Sequence, residues 1–432
     1  MASVRESFSP DQPLRMGAPH AQGPAVTISR RAADRLREGS VWVYRSEIEA
    51  LHALVGGDAS IVPGSVVTVL DARGIPLGSA LFSSASQITL RLFSTNAGLG
   101  RADWLTLVAE RTAEALALRR DVAPASLQNN SARLIFSEAD RLPGIVVDRY
   151  NDVIVVQLLT QGTAQDDVRA TLTQALMQAQ DSHPVASIVE RSDSRIRKVE
   201  QLAEVPSEPL FSAFGEPKLE TVFTLNGLQF GYDATSGQKT GAFLDQRLNY
   251  AAAAAHAHGN ALDVCTYHGG FTLHLAQRCE RVTGVDASRA ALEVADRNLE
   301  RNPHLSARVD WMEADAFELL REYQSSGRRY DTIVLDPPAF AKSKRAAEGA
   351  ARGYKELNLR ALGMLSPGGT LVTCSCSHHV DLAEFTGILA SAASDAGRRV
   401  QVLETRGAAP DHPSILGLPE TSYLKCLLCR VF

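Results

Sequence analysis

The sequence predicts an α/β protein whose C-terminal half is a doubly wound sheet of seven strands, the last antiparallel, preceded by a small β-rich module and a central α+β region. Three observations carry this. From about Gly237 onward, β-branched runs alternate regularly with helical segments; before it, strands follow one another closely between turns; and acidic residues stand at successive strand ends of the C-terminal part.

At 432 residues the chain is too long for one small core and divides into domains of ordinary size. Hydrophobic residues at 45% and charged residues at 22% give the profile of a folded soluble chain. A net charge of -5 excludes a general polycation, so contact with nucleic acid must use a local basic patch. Residues 1–24 mix Pro, Gly, Ser and charges, hold no apolar signal-peptide core, and are expected to form a disordered tail. No later run is long and apolar enough to cross a bilayer, so no membrane role is expected. All six cysteines lie in the C-terminal part without the spacing of a secreted disulfide framework, which points to a reducing, cytoplasmic setting.

Residues 25–98 form the β-rich module. SVWVYRSEI, SVVTVLDARGIPLGSALF and SQITLRLF read as strands broken at Pro63-Gly64 and Arg73-Gly74, behind an amphipathic helix, RRAADRLREGS, that ends at Gly39. Trp42 and Tyr44 share one strand face and are expected in the core. Residues 99–235 form the α+β region: a helix from Asp103 to about Arg119, a hairpin of LPGIVVDRY and VIVVQLL about Asn151-Asp152, a helix in DVRATLTQALMQAQ, a strand in ASIVERSD and the segment RIRKVEQL. Residues 236–432 supply ALDVCTY, RVTGVDA, ARVDWMEA, YDTIVLD, GTLVTCS, RVQVLET and SYLKCLLCRVF as strands, with helices between the first six. The last follows through a loop with no helix. It therefore cannot make a parallel crossover and is expected to be antiparallel.

Ligands of such sheets bind at the C-terminal strand ends. The first strand runs from Asp263 into Tyr267-His268-Gly269-Gly270-Phe271, where two glycines let the backbone pass close to a ligand. The second ends at Asp286, placed to accept both hydroxyls of a ribose, and after the third Asp315 can accept from an adenine amino group. The G-x-G-x-x-G of a dinucleotide site is missing, so an adenosine ligand without phosphates suits these acids better. For any one acid a surface turn or helix cap stays open as an alternative.

The fourth strand ends in Asp336-Pro337-Pro338-Ala339-Phe340, whose prolines stiffen the chain so that Asp336 can position a planar base edge and Phe340 can stack on it; a plain strand stop is the alternative. The fifth ends in Thr373-Cys374-Ser375-Cys376-Ser377. C5 of cytosine is too weak a nucleophile to take a methyl group directly and must first be activated by a thiolate adding at C6, which Cys376 can supply. Cys374 falls inside the strand, and burial as a small apolar side chain remains open for both. The CxxC of Cys426 and Cys429 sits within a strand-like run and reads as core, so no metal site is expected. Arg191, Arg195, Arg197 and Lys198, and Lys342, Lys344 and Arg345, are basic runs that can hold phosphates or simply be solvated.

Taken together, these residues resemble the bacterial large-subunit ribosomal RNA cytosine-C5 methyltransferases, built from a PUA domain, a central α+β domain and a Rossmann-like class I methyltransferase domain. The likeness spans nearly the whole chain after the tail. It rests on Ala85-Ser86-Gln87-Ile88, on Leu142-Pro143-Gly144 with Asp148-Arg149, on Arg191-Ser192-Asp193, and on Thr240-Gly241 with Phe243-Leu244-Asp245-Gln246-Arg247. It continues through Tyr267 to Phe271, Asp336-Pro337-Pro338, Arg352-Gly353-Tyr354-Lys355, Ser375-Cys376-Ser377 and Asp411-His412-Pro413.

The resemblance implies S-adenosylmethionine as cofactor, enclosed by Leu244 to Arg247, including Gln246 and Arg247, and lined by Asp263, Tyr267, Gly269, Phe271 and Asp336. Asp286 would hold its ribose and Asp315 its adenine. It implies Cys376 as nucleophile with Asp336 beside the base and a PUA module that docks RNA, while the basic runs put RNA contacts at Arg195, Arg197, Lys198, Lys342 and Lys344. The implied partner is large-subunit ribosomal RNA, protein-free or in an early assembly intermediate; a homodimer stays open. Rival readings are a guanine or adenine nitrogen methyltransferase, an RNA-binding assembly factor without catalysis, and a small-molecule methyltransferase.

Overall fold

The computed structural model describes residues 14–57, 60–179, 184–235, 242–340 and 347–432. Its N-terminal module is one six-stranded sheet containing, in spatial order, Trp42–Tyr44, Ile88–Ser94, Pro76–Phe82, Val66–Leu70, Ala25–Ile28 and Ile48–His52. The helix Arg30–Arg37 starts at Ser29, whose hydroxyl accepts from Ala32 N, and buries Ala32, Ala33 and Leu36 against Val67, Val69 and Leu90.

Two expectations are corrected in this module. Residues 14–24, assigned above to a tail, run beside Ile48–His52: Gly17 N donates to Leu51 O, Leu51 N to Arg15 O and His20 N to Ala53 O, each at 2.8 Å. Backbone pairing of this kind needs no side-chain period, so composition alone could not reveal it. Residues 1–13 lie outside the described residues. Trp42 and Tyr44 are only half-buried, and Val43 between them faces the core. Alternation separates two faces without saying which is inward. Trp42 instead meets the next region, where its indole Nε1 donates to Glu138 at 2.8 Å and the Arg91 guanidinium lies over its ring.

The central region holds a five-stranded sheet in the order Phe211–Ser212, Ser187–Glu190, Val153–Leu158, Ile145–Tyr150 and Ser131–Phe136, backed by helices Arg101–Val122 and Asp166–Gln178. The hairpin about Asn151-Asp152 is present, with Asn151 left-handed at φ 52°. A second hairpin, Glu220–Leu225 with Leu228–Asp233, turns at Asn226-Gly227, both left-handed. That dipeptide is a strong hairpin signal the sequence reading did not use. Phe223, Leu225, Phe230 and Tyr232 share one core with Leu244, Tyr250 and Phe271 of the C-terminal part.

The C-terminal sheet comprises β1 (Asn260–Val264), β2 (Arg281–Asp286), β3 (Arg308–Glu313), β4 (Tyr330–Leu335), β5 (Leu365–Ser375), β6 (Val400–Arg406) and β7 (Lys425–Val431). Their spatial order is β3-β2-β1-β4-β5-β7-β6, with the first five parallel and β7 antiparallel to both neighbours. Helices α1 (Arg247–His256), α2 (Gly270–Leu275), α3 (Arg289–Glu300), α4 (Ala316–Ser325), α5 (Ala347–Met364) and α6 (Leu382–Asp395) cover it. Strand order reverses between β1 and β4, which opens the crevice at their C-terminal ends. Gly237, Thr240 and Gly241 lie outside the described residues.

Candidate active site

Beyond β1 the chain takes three left-handed residues in alternation, Cys265 at φ 68°, Tyr267 at φ 51° and Gly269 at φ 84°. A left-handed residue other than glycine costs about 1 kcal/mol, and the Asp286 carboxylate helps hold the loop in place. Its Oδ2 accepts from Tyr267 N and its Oδ1 from Ser288 N, both at 2.9 Å, while Thr266 N bonds Val285 O. Tyr267 stacks on His268 and meets Phe243 edge-on, at ring separations of 3.7 and 5.1 Å. Gly269 is fixed by its φ and by space, since a Cβ there would lie 2.9 Å from Leu273 Cδ1 and 3.2 Å from Trp311. Tyr267, Gly269 and Asp286 thus meet at one end of the sheet.

Other expected cofactor residues stand one layer back. Asp263 is fully buried, its Oδ2 accepting from Thr272 N at 2.9 Å and Thr272 Oγ1 at 2.8 Å, so it anchors the start of α2 beneath the loop. Burial pushes its carboxyl up to about 6, against the two Thr272 bonds and Thr266, which favour the charged form. Phe271 is buried edge-on against Tyr250. Asp315 is exposed at the end of β3 and caps α4, its Oδ1 accepting from Phe317 N and Glu318 N; the capping alternative is realised there.

Arg247 departs further from expectation. Its buried guanidinium bonds Ser131 O and Asp411 Oδ1. Arg133 N and Arg119 Nη2 also bond Asp411, so this acid ties the central region to the catalytic sheet. Adjacency in the chain made Arg247 look like part of the cofactor wall, yet the helix turn at this point sends it and Gln246 in different directions. Gln246 Nε2 reaches Asp336 Oδ2 at 3.0 Å, and Asn249 Nδ2 fixes its other end by donating to Oε1 at 2.6 Å.

Asp336 and Cys376 leave neighbouring strands, β4 and β5, whose last register pair is Leu335 with Thr373. Cys376 is half-buried, with Sγ 4.0 Å from the Pro337 carbonyl. Cys374 is fully buried opposite Cys426, and burial pushes its thiol well up. Phe340 packs against Phe317 and Tyr354. Sequence reasoning missed the wall behind Cys376. Tyr423 donates its hydroxyl to Asp245 Oδ2 at 2.5 Å, Tyr354 and Ser377 share a hydroxyl bond at 2.8 Å, and Lys425 Nζ donates to Ser377 O and Tyr423 O. A lysine inside the apolar run of SYLKCLLCRVF was the available signal.

Arg195 and Lys198 are exposed on the helix Ser194–Glu200, but Arg197 is buried 3.6 Å from Glu190 and cannot be a surface phosphate contact. Three of four basic positions on one helical turn cannot all face solvent. Lys342, Lys344 and Arg345 lie outside the described residues. Among the described residues, no group of three His, Cys, Asp or Glu can hold a metal ion, and no helix is long and apolar enough to cross a membrane.

Carboxylates at the ends of β2 and β3, a tight backbone loop after β1 and, among the described residues, no pyrophosphate cradle fit an adenosine-bearing sulfonium. With the strand order they define a class I S-adenosylmethionine-dependent methyltransferase domain. In agreement, residues 141–430 match the family described as S-adenosylmethionine-dependent methyltransferase, and residues 26–95 match a PUA-like domain. Ribosomal RNA large subunit methyltransferase I of Vibrio cholerae is 37% identical over 413 residues, spanning 94% of this chain and 99% of the relative. The protein of that name from Photobacterium profundum is 38% identical over 399 residues, spanning 92% and 96%. The chain belongs to the family of these methyltransferases. A solved S-adenosylmethionine-dependent methyltransferase from Streptococcus mutans shares the fold, with a TM-score of 0.75 at 18% identity over 94% of this chain and 99% of that one. A second solved structure, of a methyltransferase complexed with SAH, superposes with a TM-score of 0.76 at 18% identity over the same shares of the two chains.

Proposed function

We propose that this protein transfers a methyl group to C5 of a cytidine in large-subunit ribosomal RNA, in the cytoplasm, through a covalent bond between Cys376 and C6. The observation that carries the reading is the thiol at the end of β5, facing the Pro337 carbonyl beside Asp336. A nitrogen methyltransferase has no use for a nucleophile there.

S-adenosylmethionine, when bound, supplies an electrophilic methyl. Asp286 would accept from the ribose hydroxyls, Asp315 from the adenine amine through the oxygen it does not use in capping, and the Tyr267–Gly269 backbone would line the ligand. Asp263, Phe271 and Arg247 support those groups from behind. Asp336, held by Gln246, bonds the edge of a flipped cytosine near N3. The Cys376 thiolate forms an S–C6 bond, the C5–C6 π pair makes C5 nucleophilic, and C5 takes the methyl as its bond to the sulfonium sulfur breaks, that electron pair leaving with S-adenosylhomocysteine. Loss of the C5 proton to a base then re-forms the double bond as S–C6 breaks and the thiolate returns. The PUA-like module, residues 25–98, docks RNA with Arg195 and Lys198 at its flank. A flipped base has to enter the crevice, which favours protein-free RNA or an early assembly intermediate as substrate.

The test is Cys376→Ser assayed on unmodified ribosomal RNA with nucleoside analysis. Loss of 5-methylcytosine with retained cofactor binding supports the reading; undiminished formation, or methylation at a guanine or adenine nitrogen by the native enzyme, overturns it.

A further inference from the structure

A thiol becomes a useful nucleophile only as its thiolate, and carboxylates nearby oppose that ionisation. Asp336 stands at the adjoining strand end and Asp245 sits behind Tyr423, so Cys376 lies in a partly acidic pocket. The compensating charge comes from β7. Lys425 opens that strand directly across the ladder from Ser375, one residue before the thiol, and is only 6% exposed. Its ammonium donates to Ser377 O at 2.7 Å and Tyr423 O at 2.8 Å, which draws it under the turn that carries Cys376.

Both bonds go to carbonyl oxygens, and among the described residues no carboxylate stands within ion-pair distance of Nζ. A buried ammonium without a counter-charge is costly to keep, and burial pushes Lys425 down to about 8. The leading influence in the other direction is Cys376, ahead of Asp381 and Glu384 at the start of α6. At pH 7 the group is still an ammonium, and the charge that best answers it is a thiolate.

We propose that Lys425 is a positioning residue for Cys376, its ammonium locked beneath the Cys376–Ser377 turn to hold the thiol ionised and aimed into the crevice. This rests on the reading of Cys376 as nucleophile. The thiol proton leaves to solvent, the ammonium balances the thiolate, and Lys425 keeps its own proton while the S–C6 bond forms and later breaks. Among the described residues, Tyr423 stands beside the thiol with Asp245 behind it, Asp336 follows β4, Tyr354 of α5 bonds Ser377, His378 lies on the same turn, and Asp381 and Glu384 at the start of α6 act on Lys425. Most of these are acids or phenols. Removing Lys425 therefore leaves an environment that favours the neutral thiol.

The experiment is iodoacetamide alkylation of the full-length protein across pH, resolved by peptide mass spectrometry so that Cys376 is read apart from the other five cysteines. In the native protein the Cys376 midpoint is expected below the ordinary thiol value of about 8.5. In Lys425→Gln it rises by about one unit, so alkylation at pH 7 slows roughly tenfold, while Lys425→Arg keeps most of the native rate. A purely structural lysine would alter unfolding temperature and cofactor binding without moving this midpoint. An unmoved midpoint in folded Lys425→Gln overturns the proposal. Should that variant not fold, a native midpoint at or above about 8.5 overturns it equally. The nucleophile reading fails in a different assay, by retained methylation in Cys376→Ser, so the two failures cannot be confused.

Discussion

The two halves of the crevice are built by different means. On the side proposed for the methyl donor, under β1, β2 and β3, the candidate groups are fixed by backbone: Asp286 by two peptide N–H groups, Asp315 by the cap of α4, Gly269 by its left-handed φ. On the acceptor side, under β4 and β5, they are fixed through side chains drawn from distant segments: Gln246 to Asp336, Tyr423 to Asp245, Lys425 to the Ser377 carbonyl. A backbone-held site tolerates few residue types and is stiff. A side-chain network is adaptable, and its failure is graded because one member can be removed while the others keep the fold.

The contrast predicts unequal consequences. Asp336→Asn, which keeps the shape but loses the charge that the proposed reading sets against the base, is expected to lower the methylation rate about a hundredfold while calorimetric cofactor affinity stays within about threefold. A parallel fall in both quantities would merge the two halves into one site. Asp286→Ala removes the clamp on the Tyr267 loop together with the ribose acceptor of the proposed reading. A loss of about 2 kcal/mol in cofactor binding, near thirtyfold in Kd, follows, with the rate at saturating cofactor changed much less. If saturation fails to restore the rate, the loop also shapes the acceptor side. Gln246→Ala, ahead of both halves in the chain, removes the amide that donates to Asp336, so it should cost about tenfold in rate with little change in cofactor affinity.

How much of this was legible follows the same division. The sheet order, the antiparallel β7 and the strand-end acids could be read because alternating periods and Gly or Asp at turns are local signals. The strand-end positions of Cys376 and Asp336 were legible for the same reason, each marked by its own motif. Asp245, Tyr423 and Lys425 were not, because their roles exist only once segments some 180 residues apart in sequence meet, as Asp245 and Tyr423 do. Arg197 and Arg247 looked functional by charge and are buried structural groups, paired with Glu190 and Asp411. Charge type shows in a sequence; whether a charge faces water depends on which helical face the fold covers. Trp42 failed similarly, since its partner Glu138 belongs to another region.

The smallest expected effect on activity is at Asp263, and its direction separates support from contact. In the folded protein burial pushes this carboxyl up to about 6, whereas the unfolded chain ionises it near 3.8. Between those values the folded state binds more protons than the unfolded one, so raising the pH favours unfolding. The stability the neutral carboxyl contributes is full below about pH 4 and is lost as pH rises through about 6. Asp411 runs the other way: although burial opposes its charge, the bond from His412 and the Arg247 guanidinium take it down to about 2, so its contribution is present above 3.8 and lost on acidification. Asp263→Asn keeps an acceptor for Thr272 and abolishes only the first effect. Relative to the native protein it should gain on the order of 1–3 kcal/mol of stability between pH 4 and pH 7, with cofactor affinity changed by less than about threefold. Denaturant unfolding at the two pH values measures it. Parallel pH profiles for the two proteins would mean that Asp263 is ionised when folded. A large loss of cofactor affinity would instead place its carboxyl against the ligand, and the donor side would then share the side-chain character of the acceptor side.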